Sequence, residues 1–238
     1  MRFYDLEIQS SLGEGANSVA EIARFAEHLG YSGIAICNKY ESLEQIRKLK
    51  EEISKIETTV EIYVGVKIKT ESVEELRKII EQVREEVMVV VVAGGNYSIN
   101  RAACENPKVD ILAHPEFGRI DSGLDEVCLN LAKKNNVAIQ INFTEIAEKY
   151  RRGRSSLLGR MDRNIRLTRE LSVPTIVCSG AKSIWDMRDP REMISIVNIF
   201  GLEIEKSFSC LSMVPQNIIE DNKKRLSGEK ITEGVELG

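Results

Sequence analysis

A short run of aliphatic, β-branched residues followed by an amphipathic helical stretch recurs along the chain, and this repetition restricts the fold more than any other property of the sequence. Phe3 to Ile8 reads as the first strand. A loop with Gly13 and Gly15 follows, then a helix from about Ser18 to Leu29. Ser18 and Glu21 have the reciprocal spacing of a capping box, Val19, Ile22, Ala23, Ala26 and Leu29 form one apolar stripe, and Gly30 supplies the stop. The second unit has strand Gly33 to Cys37 and a helix opened by Ser42 with Gln45. The third has strand Val60 to Lys69 and a helix opened by Ser72 with Glu75. Val87 to Ala93 is a continuous apolar run of the kind buried on both faces of a parallel sheet. Val109 to Ala113, Val137 to Ile141 and Val173 to Cys178 complete the strands, with helices at about Ser98 to Glu105 and Leu124 to Lys134 between them.

Strands separated by helices are joined by right-handed crossovers into a parallel sheet. A doubly wound sheet that binds a dinucleotide would need G-x-G-x-x-G after the first strand, and Gly13 and Gly15 lack the third glycine. The expected fold is therefore α/β: a single, irregular (β/α) barrel of TIM type spanning residues 1–238, with about seven clear strands. Gly201 to Ile204 is a weak candidate for an eighth strand, Pro215 opens a helix through about Arg225, and residues 227–238 read as a loose tail.

The longest apolar run is far shorter than the roughly 20 residues that span a bilayer. Met1-Arg2-Phe3-Tyr4-Asp5 shows no basic segment leading into an apolar stretch, so no secretory signal is expected. Cys37, Cys104, Cys128, Cys178 and Cys210 form no C-x-x-C pair, which argues against a disulfide framework or a structural zinc site and for a reducing cytoplasm. Cys37 and Cys178 end strands and read as small core residues. A net charge of −4 does not announce a nucleic-acid binder, so any RNA affinity must come from a local basic surface.

Barrels of this type place their chemistry where strands end and loops begin. Those positions carry Glu7, Gln9, Asn38, Lys39, Lys67, His114 and Ser179 to Lys182. With the opening Asp5-Leu6-Glu7-Ile8-Gln9-Ser10, the stretch Gly30 to Ile36 and Ala113-His114-Pro115, the chain resembles the polymerase and histidinol phosphatase (PHP) superfamily of metal-dependent phosphoesterases. The resemblance implies metal ligands at these strand ends, but Glu7, Gln9, Asn38, Lys39, Lys67, Gly180 and Lys182 stand at most of them, and His114 alone matches. Lys39, Lys67 and Lys182 would repel a divalent cation and attract a phosphate. Each lysine could instead turn outward and carry nothing specific. His114 reads as a hydrogen-bonded structural residue beside Pro115, and His28 as a surface or packing residue.

A narrower resemblance covers nearly the whole chain. It is carried by Val109 to Glu116, Ala138 to Asn142, Val173 to Ala181 and Trp185 to Glu192, and it points to the archaeal ribonuclease P protein component 3 family, relatives of the 30 kDa-type eukaryotic subunit. The resemblance implies a protein subunit that assists a catalytic RNA in removing the 5′ leader from precursor tRNA. The partners implied are that RNA, precursor tRNA and other protein subunits. No cofactor is expected on this chain, which is non-catalytic alone, and Mg²⁺ is expected with the RNA. An RNA-facing surface would draw on Arg151, Arg152 and Arg154 in a loop, then on Arg163, Arg166 and Arg169 along a helix from about Ser156 whose inward face is Leu157, Met161, Ile165 and Leu171. Arg101, Arg119 and Arg188, just beyond strands, would extend it. A solvated helix face is the plain alternative for such a charge run. Three rival functions remain: a PHP-type phosphoesterase holding metal with Glu7, Gln9 and His114; a small-molecule barrel enzyme using Lys182 as a Schiff base; and a scaffold that meets only proteins.

Overall fold

The computed structural model of the chain describes residues 1–228, 230–232 and 235–236. Seven parallel strands pair in chain order. They are β1 (Tyr4–Ile8), β2 (Gly33–Lys39), β3 (Glu61–Ile68), β4 (Val89–Ala93), β5 (Ile111–Ala113), β6 (Ala138–Asn142) and β7 (Thr175–Cys178). The helices between them are α1 (Val19–His28), α2 (Leu43–Ile53), α3 (Val73–Val83), α4 (Tyr97–Glu105), α5 (Glu126–Lys134), α6 (Phe143–Glu148) and α7 (Arg151–Leu171). After β7 come α8 (Pro190–Ile199), α9 (Ile204–Ser209) and α10 (Met213–Leu226).

Local chemistry sets the helix starts. Ser18, Ser42 and Ser72 each accept a hydrogen bond from the backbone N–H three residues on, and Glu21 returns the bond to Ser18. The capping expected of these serines is observed. Alternation along the strands sends Ala35, Cys37, Tyr63, Val89, Val91, Ile111, Ala113, Ala138, Ile176 and Cys178 into one buried cluster inside the barrel. Their outward-facing neighbours, such as Ile34, Val66, Val90, Leu112 and Val177, pack under the helices. All five cysteines are buried and free.

The sheet closes imperfectly. β1 meets the chain just past the end of β7 at an isolated bridge between Ile8 and Ala181, where Gln9 N donates to Ala181 O at 2.8 Å. Lower down the two edges do not pair. Instead Tyr4 N donates to Leu211 O (2.9 Å) and Val177 N to Cys210 O (3.2 Å), so the segment joining α9 to α10 fills the gap. The eighth strand expected at Gly201–Ile204 is not formed. Gly201 lies at φ 79° in the turn after α8, and Ile204 begins α9, so only two residues separate the turn from the helix, too few for a strand. α10 crosses the floor of the barrel, placing Ile218 and Ile219 in the interior cluster. Its Asn222 donates to Met88 O (2.9 Å) and Asp110 Oδ1 (2.8 Å) at the starts of β4 and β5.

α7 starts at Arg151, earlier than the helix expected from about Ser156, so Arg151, Arg152 and Arg154 sit in a helical turn and not in a loop. Of the loose tail expected over 227–238, residues 229, 233–234 and 237–238 lie outside the described residues. Lys230–Thr232 (β8) and Val235–Glu236 (β9) pair as an antiparallel ribbon.

A candidate ligand site at the barrel mouth

The C-terminal ends of the strands open into a cavity of about 220 Å³. It gathers Gln9, Lys39, Lys67, His114, Gly180 and Lys182, the strand-end residues singled out from the sequence, and adds Lys69, Phe117, Asn142, Glu145 and Glu148. Asn38 is buried beside it, where Oδ1 accepts from Ser10 N (2.8 Å) and Nδ2 donates to Ser10 Oγ (3.0 Å), pinning the loop after β1.

At the bottom of this cavity lies an ordered chain of polar groups. Period-two alternation along β3 turns Tyr63, Gly65 and Lys67 inward. Gly65 is required there because a Cβ would stand 2.3 Å from Cys37 Sγ. The Lys67 ammonium bonds the fully buried Glu7 carboxylate and lies 3.1 Å from His114 Nε2. An ammonium can only donate, so Nε2 accepts and Nδ1 carries the ring proton. That Nδ1 is 2.7 Å from Glu145 Oε2, to which it donates. The second Glu7 oxygen accepts from Gln140 Nε2 and, at 3.4 Å, from Asn142 Nδ2. Burial would raise the Glu7 pKa, but the charge of the Lys67 ammonium and the hydrogen bonds from Lys67 and Gln140 outweigh it and hold the carboxyl below its ordinary value.

Gly180 lies at φ 64°, and a Cβ there would meet the Asn142 amide at 2.1 Å, so glycine is needed to let that amide reach Glu7. Two nearby carboxyls behave oppositely to Glu7. Burial pushes Asp5 up to about 7 despite hydrogen bonds from Ser179. Burial and the Glu145 charge push Glu116 up to about 8.

These contacts change the expected character of the mouth. Three free ammonium groups were expected, but Lys67 is consumed by Glu7 and His114, and Lys39 Nζ lies 3.7 Å from Glu14 Oε1. Glu14, Glu145 and Glu148 also line the cavity. Lys182 and Lys69 complete the positive side. The donor set does not suit a divalent ion: of the positions where the PHP resemblance implies ligands, only Glu7 and His114 present donors of the usual kinds, and an ammonium sits between them. Among the described residues no group of three or more His, Cys, Asp or Glu converges on a metal-sized point.

Glu148 leads directly to α7 at the rim. Arg151 and Arg152 are exposed, Arg151 adopts φ 46°, and the first turn of α7 has no acidic residue and no side-chain cap. Arg154 is pinned, its Nε donating to Lys149 O (2.7 Å) and Nη2 to Ala147 O (3.1 Å), with its guanidinium 5.8 Å from the Tyr150 ring. Farther along α7, Arg163 is exposed, Arg166 pairs with Asp162 at 2.9 Å, and Arg169 donates to Gly201 O at 3.0 Å. Arg101 is exposed within α4, not just beyond a strand as expected. Arg119 makes a forked pair with Asp121 (2.5 and 2.8 Å). Arg188 donates to the carbonyls of Trp185 and Met187 (both 2.7 Å) and covers the Phe143 ring at 4.9 Å. Most of these arginines are thus bound to their own fold, and Arg101, Arg151, Arg152 and Arg163 are the open ones.

Sequence reasoning missed Glu145, Gln140 and Lys69. A signal for one of them was present: Gln140 and Asn142 are polar at alternate positions of an otherwise apolar strand, so both face the barrel interior.

Comparison with known proteins bears on the fold and the family. The chain is 34% identical to ribonuclease P protein component 3 of Methanosarcina mazei over 235 residues, covering 99% of this chain and 95% of that protein. It superimposes with a TM-score of 0.81 on a chain in a cryo-EM structure of archaeal ribonuclease P with mature tRNA, at 26% identity and covering 98% and 97% of the two chains. A histidinol phosphate phosphatase from Lactococcus lactis, solved with zinc, L-histidinol and phosphate, shares the fold alone, at a TM-score of 0.56 and 11% identity over 85% of this chain and 95% of that one. The family model for RNase P subunit p30 matches residues 2–227, and the chain belongs to that family.

Proposed function

We propose that the chain is a protein subunit of ribonuclease P that assists the RNA subunit in endonucleolytic removal of the 5′ leader from precursor tRNA. The observation that carries this reading is family membership over residues 2–227, together with the close superposition on a chain of an archaeal ribonuclease P. The isolated chain is inactive in this reading, and Mg²⁺ acts with the RNA. The competing phosphoesterase reading needs a metal between Glu7 and His114, where Lys67 stands.

RNA phosphates are met by Arg151, Arg152 and Arg163 on the exposed side of α7 and by Lys39 and Lys182 at the rim, with Arg101 farther out. Arg119, Arg154 and Arg188 shape the loops beside them, and Lys67 holds the mouth together. The acidic remainder of the surface is left for protein partners. The five buried thiols and the lack, among the described residues, of a helix long and apolar enough to cross a membrane fit a cytoplasmic particle.

The test is reconstitution of ribonuclease P with and without this chain. Omission should lower precursor-tRNA cleavage most at limiting Mg²⁺, while the chain alone should not cleave. Unchanged cleavage at every Mg²⁺ concentration would remove the proposal.

A further inference from the structure

The Glu7–Lys67–His114–Glu145 chain is laid out like a metal site whose centre is an ammonium. His114 is oriented by a carboxylate on Nδ1 and presents the Nε2 lone pair inward, the arrangement that outer-shell partners impose on a metal-bound imidazole. Glu7 is fully buried and offers Oε1 to the same point, its other oxygen held by two amides. Gln9, 5% exposed and lining the cavity, has an Oε1 without a hydrogen-bond partner. The group on which Glu7 and His114 converge is the Lys67 ammonium, whose side chain is 15% exposed.

We propose that Lys67 is a tethered cation that takes over the organising role of a divalent metal at the barrel mouth, and that its charge is what keeps this donor set from binding one. A buried carboxylate requires a neighbouring positive charge. A lysine on β3 supplies it permanently, at the cost of any open coordination position. The wild-type mouth is consequently indifferent to divalent ions.

The proposal is tested with Lys67→Glu. This places a second carboxylate beside Glu7 and His114, giving three protein donors of the kinds zinc takes. Melting curves of the purified chain are recorded in EDTA and in excess Zn²⁺, alongside Co²⁺ absorption. In EDTA the variant should melt below wild type, because two buried carboxylates repel. Zn²⁺ should raise its Tm by roughly 5–10 °C, as expected for a ligand near a hundredfold over its Kd. Co²⁺ should give the visible bands of a tetrahedral site. Wild type should show neither effect, and Lys67→Glu combined with His114→Ala should lose both.

A Lys67→Glu chain that gains nothing from Zn²⁺ overturns the proposal, whether it is folded or unfolded in EDTA. So does a wild-type chain that takes up Zn²⁺ as readily as the variant.

Discussion

Glu116 is 1% exposed, its Oε1 has no hydrogen-bond partner, and its Oε2 is only 3.5 Å from Asn164 Nδ2. With a pKa of about 8 against an ordinary 4.5, the folded chain keeps a proton that the unfolded chain releases. The stability this protonated group supplies is complete below pH 4.5 and is lost as pH rises through about 8. Asp5 acts in the same direction up to about 7. Glu7 acts in the opposite direction, contributing stability above its ordinary pKa that is lost as pH falls. Glu116→Gln should therefore match wild type near pH 4 and melt about 10 °C higher at pH 9. Calorimetry across that range checks it, and a parallel Tm–pH curve would contradict the assignment. The sequence could not reveal this, because Glu116 follows the His114-Pro115 turn where exposed acids are common. Only the packing of α7, through Asn164, encloses it.

At the scale of single elements, α10 is held by a polar cluster as well as by its apolar face. Arg84, at the end of α3 and 2% exposed, donates to Asp110 Oδ2 (2.7 Å), Lys108 O (3.0 Å) and Asn222 Oδ1 (2.5 Å). Asp110 in turn accepts from Val90 N at 2.6 Å. Arg84→Ala leaves Asp110 without its hydrogen-bonded guanidinium, with only Arg225 still nearby, and should destabilise the fold by about 3 kcal/mol. Urea titration measures the loss, and Arg77→Ala, on the exposed side of the same helix, should cost less than about 1 kcal/mol. Elements whose boundaries rest on local chemistry were legible in the sequence: Ser18, Ser42 and Ser72 start their helices where a capping residue must. The start of α7 was not, because Tyr150 makes no side-chain cap and the first turn is arginine-rich against the helix dipole. Gly201–Ile204, a weak candidate for an eighth strand, was also misread, since hydrophobicity alone does not separate a short strand from the entry to a helix.

Across the whole molecule, net charge −4 coexists with a local concentration of exposed arginine on α7 near the mouth. A polyanion therefore meets an orientation-dependent field, attractive on one side and neutral or repulsive elsewhere. Replacing both Arg151 and Arg152 with alanine should lower the salt slope of RNA-subunit binding by about 1.4–1.8, the sum of two phosphate contacts. Filter binding over a series of KCl concentrations reads this, and an unaltered slope would assign those arginines to protein contacts. The ring of lysines was legible because strand ends are fixed by the repeat. Its neutralisation was not, because Glu7 and Lys67 lie far apart in the chain and only barrel closure brings them into contact.

The join between the first and last strands has a further consequence. Tyr4 and Val177 give their amides to the carbonyls of Leu211 and Cys210, so two residues shield what would otherwise be raw sheet borders. If that splice slips, the barrel does not simply loosen; it becomes an open ribbon with two unsatisfied flanks, each a template for another copy of itself. The α9–α10 junction thus guards against edge-on polymerisation, a hazard that an eighth strand would have removed by geometry.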